Sequence, residues 1–166
     1  MGIDPAKLDV SEVVETPLRW LRQELPENNI HLGFIPECLP TERTYSLFYL
    51  VAVDYIMNRD EFIALLEALR GRLNAGGECI VVSASYDDVY GLAKIKGMAK
   101  DAVKHLLNAV RLQPLGQFWG YMRKRSEFRF VMNAAGFINV KDGFIGSSTD
   151  CIYWISGSGF CRNQTD

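Results

Sequence analysis

The sequence predicts an α/β layer protein with a mostly parallel sheet and an antiparallel strand at one edge. Three observations carry this. Strand-like and helix-like stretches alternate along the chain in the order strand, helix, strand, strand, helix, strand, helix, helix, strand, strand. "SLFYLVAV" is apolar on both faces, as a parallel strand covered by helices on either side must be. In "NRDEFIALLEALRGRL", Phe62, Leu65, Leu66, Leu69 and Leu73 recur at helical spacing and make the stripe of a helix packed on a sheet.

The elements follow in order. "MGIDP" sets an acid and a proline after a short apolar start, as at the end of a strand. In "TPLRWLRQEL", Thr16 is the expected cap of a helix whose first residue is Pro17, and Leu18, Leu21 and Leu25 share a face. "IHLGF" places Ile30, Leu32 and Phe34 on one side of a strand. "SLFYLVAV" is the expected sheet centre. The next helix is capped by Asn58 or Asp60 and ends at "NAGG", where glycine supplies the left-handed conformation before the buried strand "ECIVVSAS". Gly76 and Gly77 thus lead from helix into strand, the wrong polarity for a phosphate cradle.

"SYDDVYGLAKIKGMAKDAVKHLLNAVRL" reads as one long or broken helix, with Ser85 and Asp88 at capping-box-like spacing and weak points at Gly91 and Gly97. "QPLGQFWGYM" is an aromatic-rich loop. "SEFRFVMNAAGF" is a short helix capped by Ser126 and stopped at Gly136, and "INVKDGF" and "TDCIYWIS" close the fold as two strands. The expected division is one domain, 1–156, and a polar tail, 157–166.

Bulk properties bound the function. The chain has 166 residues, 48% hydrophobic and 23% charged, which suits a single globular domain. A net charge of -2 gives no overall basic field for nucleic acid. The longest apolar run, "LFYLVAV", falls far short of the roughly 20 residues of a membrane span, and the early acid of "MGIDP" does not suit a signal peptide, so a cytoplasmic location is the expectation. Cys38, Cys79, Cys151 and Cys161 form no C-x-x-C pair and His31 and His105 are the only histidines, so no metal site is expected. Cys79 and Cys151 are expected to pack as small hydrophobes.

"YSLFYLVAVDYIMNRDEFIALLEALRGRLNAGGECIVVSAS", residues 45–85, resembles the centre of class I S-adenosylmethionine-dependent methyltransferases, in which a strand, a helix, "L-x-p-G-G" and another strand follow one another. "SEFRFVMNAAGFINV" is similar to that family's segment from its last crossover helix into its sixth strand. The resemblance implies a three-layer Rossmann-like sheet. "GIDP" is similar to the family's second strand, and Asp4 matches the terminal acid that holds the cofactor ribose. The family's first strand and its G-x-G-x-G loop have no match upstream of Asp4, which reads as an N-terminal truncation. The only Gly-x-Gly, Gly157 and Gly159, opens no helix and makes a poor cofactor loop. Ser46, Phe34 or Ile35, and Ile56 replace residues that are commonly acidic or histidine in the family.

In open α/β sheets the ligand lies beyond the carboxyl ends of the strands. That rule selects Asp4, Phe34, Ile35, Leu50 at the end of "LFYLVAV", and Ser83 to Ser85 as the rim toward S-adenosylmethionine. Asp54 and Tyr55 either align and deprotonate an acceptor or, respectively, cap the next turn and pack under it. Asp4 is either a ribose ligand or a turn residue before Pro5. "GQFWGYMRKR", with Arg123, Lys124 and Arg125, either binds an anionic group or is a loop with solvated cations. His105 and Lys94, Lys96, Lys100 and Lys104 are expected on a helix surface.

The expected function is therefore methyl transfer to a small-molecule acceptor. The alternative is a non-catalytic methyltransferase-like module that forms a homodimer through an exposed sheet edge. A nicotinamide-dependent reductase would need a glycine fingerprint after the first strand, which is lacking.

Overall fold

The structure, a computed structural model, describes residues 4–83, 85, 95, 99, 102, 103, 106, 123–145 and 152–159. The chain divides into two compact units, Met1–Thr44 and Tyr45–Asp166.

The first unit is built on a parallel strand pair, β1 (Val10–Glu12) and β2 (Ile30–Leu32), with Val10 opposite Ile30 and Glu12 opposite Leu32. Between them runs α1 (Glu15–Leu21), which buries Leu18. The helix starts before the expected Thr16–Pro17, because Val14 is still extended and Pro17 falls within the first turn, where helical N–H groups have no partner in any case. The strand expected at "MGIDP" is not the one found. Residues 1–3 lie outside the described residues, and Asp4 caps a 3-10 turn, Pro5–Lys7, by accepting the Ala6 N–H at 3.1 Å. The strand begins at Val10.

That turn is held at the amino end of the strand pair. The buried Asn29, immediately before β2, donates its amide to the carbonyls of Ala6 and Leu8, both at 3.1 Å, and of Pro5 at 3.4 Å. Asp9, at the same end, accepts Arg43 Nη1 at 2.5 and 2.6 Å and faces His31 Nε2 at 3.3 Å.

The second unit contains β3 (Tyr45–Val51), α2 (Arg59–Arg70), β4 (Leu73–Ser83), α3 (Arg125–Ala134), β5 (Ile138–Ile145) and β6 (Ile152–Ser158). The strand order is β3-β4-β6-β5, with β3 parallel to β4 and β6 antiparallel to both its neighbours. Two expectations change here. Among the described residues β3 is an edge rather than the centre, and the antiparallel strand lies one position in from the opposite edge. The described residues 95, 99, 102, 103 and 106 are helical.

Helices α2 and α3 supply the core. Phe62, Leu66, Leu69, Phe128, Val131 and Met132 are buried together with Cys79, Val81, Tyr153 and Ile155 of the central strands. The Phe128 ring stands edge-on to Phe62 at 6.4 Å and lies 5.0 Å from Tyr153. Each such side chain contributes about 1.5–3 kcal/mol by leaving water. Burial raises the Cys79 thiol to about 12, with Glu78 adding to the effect, so this cysteine packs as a small hydrophobe.

Helix ends follow local chemistry at some positions and tertiary contacts at others. Asn58 and Glu61 form a reciprocal capping box at the start of α2. The helix ends at Arg70, and Gly71 is right-handed. Gly76 and Gly77 do not cap it but lie inside β4, where the register jumps from Tyr45 opposite Leu73 to Leu47 opposite Glu78. Gly76 has φ +75°, and a Cβ on Gly77 would stand 3.1 Å from the Tyr45 carbonyl oxygen, so the pair forms a bulge. Ser126 is inside α3 rather than its cap, whereas Gly136, at φ +81°, stops that helix as expected. β6 runs through Ser158 and so includes two residues that the sequence assigns to the tail. Gly157 is there because a Cβ would meet the Phe137 Cβ at 2.8 Å and the Met132 Cε at 2.9 Å.

Candidate functional site

At the carboxyl end of β3, Ala52 takes the left-handed conformation (φ +53°) while its N–H donates to Val82 O at 2.8 Å. The chain then turns inward through the 3-10 turn Asp54–Ile56, and Asp54 becomes fully buried. Its partner is Arg123, 2% exposed, immediately before α3. Arg123 Nη1 donates to Asp54 O at 2.5 Å and to Asp54 Oδ2 at 3.2 Å, and Nη2 donates to Met57 O at 2.6 Å. The guanidinium lies over the Phe62 ring at 4.9 Å, with Glu127 at 4.0 Å. The Arg123 carbonyl accepts the Ser85 hydroxyl at 3.1 Å, and Ser85 and Arg123 form a parallel bridge.

One arginine therefore ties together the turn after β3, the chain after β4 and the start of α3. Burial raises the Asp54 carboxyl above its ordinary range, against the opposing influence of the Ser83 hydroxyl and Arg123. Asp54 is neither an open rim residue nor a side-chain helix cap, since its carboxylate is committed to Arg123. The Tyr55 side chain lies outside the described residues. Leu50, expected on the cofactor rim, is a core residue at 3% exposure, because alternation along β3 turns it to the same side as Phe48. Ser46 is exposed and accepts Asn74 Nδ2 at 3.2 Å.

In the first unit, the acid at the carboxyl end of a parallel strand is Glu12, not Asp4. Asp4 belongs to the turn that Asn29 holds at the amino end, which corrects its assignment as a ribose ligand. The Glu12 carbonyl accepts Gly33 N–H at 2.9 Å, which brings the end of β1 against the segment carrying Phe34 and Ile35. Phe34 is 59% exposed, Ile35 is half-buried, and the Ile35–Pro36 peptide is cis. An acid beside an exposed aromatic ring fits a sugar diol and a flat base, the nucleoside half of S-adenosylmethionine. Sequence reasoning missed Glu12 because "VSE" is too short and too polar to show strand periodicity. The remaining signal was an acid closing a possible β-stretch before a helix.

Arg123 is correctly seen as an unusual cation but is neither anion-binding nor solvated, whereas Lys124 is exposed and Arg125 bonds Asp142. His105, Lys94, Lys96, Lys100, Lys104, Ala84, the capping residue Asp88, Gly91, Gly97, Cys151 and the aromatics of "GQFWGYM" lie outside the described residues. Among the described residues there is no group of three or more His, Cys, Asp or Glu side chains arranged to hold a metal ion, and no helix is long and apolar enough to cross a membrane.

No family model matches the chain, and no curated protein matches it. Solved structures do. The chain is similar to human N-acetylserotonin methyltransferase in complex with SAM, at 18% identity and a TM-score of 0.57, covering 92% of this chain and 40% of that one. It is similar to PigF with SAH at 17% identity and a TM-score of 0.62, covering 92% and 43%. It is also similar to magnesium protoporphyrin IX methyltransferase from Synechocystis PCC 6803 with bound SAH, at 14% identity and a TM-score of 0.53, covering 89% and 62%. The chain spans less than two thirds of the length of each of these proteins. Its fold is that of the class I methyltransferases.

Proposed function

We propose that the chain carries part of an S-adenosylmethionine-dependent methyltransferase acting on a small-molecule acceptor. The observation that supports this most is the shared fold with proteins crystallised with SAM or SAH, over about nine tenths of this chain. Glu12 is the residue for the ribose hydroxyls, and Phe34 and Ile35 offer an apolar wall for the adenine. S-adenosylmethionine, when bound, supplies a methyl group on a sulfonium. The chain's own contribution is to position the acceptor and exclude water, since in-line displacement asks little else of the protein. Asp54 acts here by fixing the turn that carries Tyr55, through Arg123.

Calorimetric titration with S-adenosylmethionine and S-adenosylhomocysteine tests the reading. Binding by the chain, weakened by Glu12→Gln and unaffected by Asp4→Asn, is the expected outcome. No heat at about millimolar ligand, with the protein shown to be folded, removes the claim that this chain holds the cofactor.

A second reading is favoured by the position of β3. A non-catalytic module that forms a homodimer would use a sheet edge, and β3 is an edge with no other strand beside it among the described residues.

A further inference from the structure

We propose that the outer edge of β3 is the interface of a symmetric dimer, in which two copies of Tyr45–Val51 pair antiparallel and join two four-stranded sheets into one. This rests on the second reading above and deepens it by naming the strand and the register.

The argument comes from the two edges of the same sheet. β5 carries the devices that keep an edge from pairing. Its register with β6 shifts between Ile138 and Lys141, Asn139 is left-handed at φ +53°, Lys141 is exposed, and Asp142 and Gly143 follow. β3 has none of them. From Tyr45 to Val53 there is no charge, proline or glycine, and the register with β4 is unbroken from Leu47 to Val51. Leu47, Tyr49 and Val51 are 45%, 61% and 56% exposed. Alternate N–H and C=O groups of an edge strand point away from its neighbour and are available to another strand.

A second copy is the occupant that this edge specifies. An antiparallel pair centred on Phe48 sets Leu47 of one copy opposite Tyr49 of the other, twice. Cross-strand pairs of aromatic with aliphatic residues are favourable. Since the run is uncharged, no like charges face each other across the two-fold axis. Residues directly opposite share a face, so Leu47, Tyr49 and Val51 of the two copies merge into one apolar surface.

Sedimentation equilibrium of the purified chain is the test, from about 1 to about 100 μM. A dimer is expected. Tyr49→Lys, at an exposed position, should raise the dissociation constant at least tenfold, with circular dichroism unchanged. Phe130→Lys, equally exposed but on α3, should leave the dimer intact. Amide exchange gives a second measure: alternate amides of β3 should be protected in the wild type and exchange in Tyr49→Lys. A monomer throughout that range, or a dimer indifferent to Tyr49→Lys, overturns the proposal. S-adenosylhomocysteine titrated in parallel keeps the readings apart. A monomer that binds it rejects the dimer and retains the methyltransferase reading, and a dimer that ignores it does the reverse.

Discussion

Two aspartate side chains in the second unit, both sealed from water, meet arginine in opposite ways. Asp54 shares a single guanidinium, itself buried, which also serves two backbone carbonyls. Asp142, on β5, accepts from Arg125 and Arg129 one turn apart on α3, and from the Tyr153 hydroxyl at 3.1 Å. Both those arginines remain 44–46% exposed, while the Asp142 side chain is sealed. The carboxyls move apart accordingly. Burial wins at Asp54 and raises its pKa. At Asp142 burial pushes upward too, but hydrogen bonds from Arg125, Arg129 and Tyr153 outweigh it and the pKa falls. A buried carboxylate is held charged by the number of donors aimed at it more than by the presence of one cation.

The contrast is broken most strongly at Arg123. Arg123→Met strips Asp54 and two carbonyls of their donor in a sealed site, and should cost about 3–5 kcal/mol in urea unfolding. Arg123→Lys should recover part of that, since an ammonium keeps the charge but not the fork. At the other cluster, Arg125→Ala leaves Asp142 with two donors, and the lost arginine was half in water, so about 1 kcal/mol is expected.

The pH dependence sharpens the contrast because the signs differ. A raised carboxyl favours folding below the ordinary value near 4 and loses that contribution as pH rises through the folded value. Wild type should therefore lose stability relative to Asp54→Asn as pH rises from about 4. A lowered carboxyl does the opposite. The advantage of wild type over Asp142→Asn should hold above about 4 and shrink as pH falls below it. Parallel curves for the two variants would show that the clusters do not differ. The smallest effect is expected at Ala52, where Ala52→Gly removes a left-handed alanine and adds chain entropy, two terms of about 1 kcal/mol that nearly cancel. A change in melting beyond a few degrees would mean that the Ala52 methyl has a role of its own.

These clusters also mark where the sequence is readable. The capping box of Asn58 and Glu61, the stripe from Phe62 to Leu69 and the stop at Gly136 depend on neighbours within a few residues, and all three are visible in the sequence. Arg123 reads as one cation in "RKR", because its acceptors lie 66 and 69 residues away. The glycine pair reads as a helix end because its determinant, the Tyr45 carbonyl, belongs to another strand. Asp4 is similar to a strand-end acid in sequence, yet the turn bond to Ala6 and the Asn29 amide decide its place. Leu50 reads as a rim residue from its position near the strand end, but its direction is set by alternation and the helix-covered face. Fold class was legible from local periodicity, and the site was not, since its polar contacts join segments distant in sequence.

The bridge between Ser85 and Arg123 has a consequence for how such a protein can change. The chain leaves and rejoins the sheet side by side, with 38 positions separating the two residues. Lengthening a closed loop costs only about 0.6 kcal/mol per doubling. The intervening stretch can accordingly be exchanged or resized with little penalty to the strands it departs from. Evolution, or an engineer, has at this point a socket in which one insert can replace another while the scaffold keeps its register.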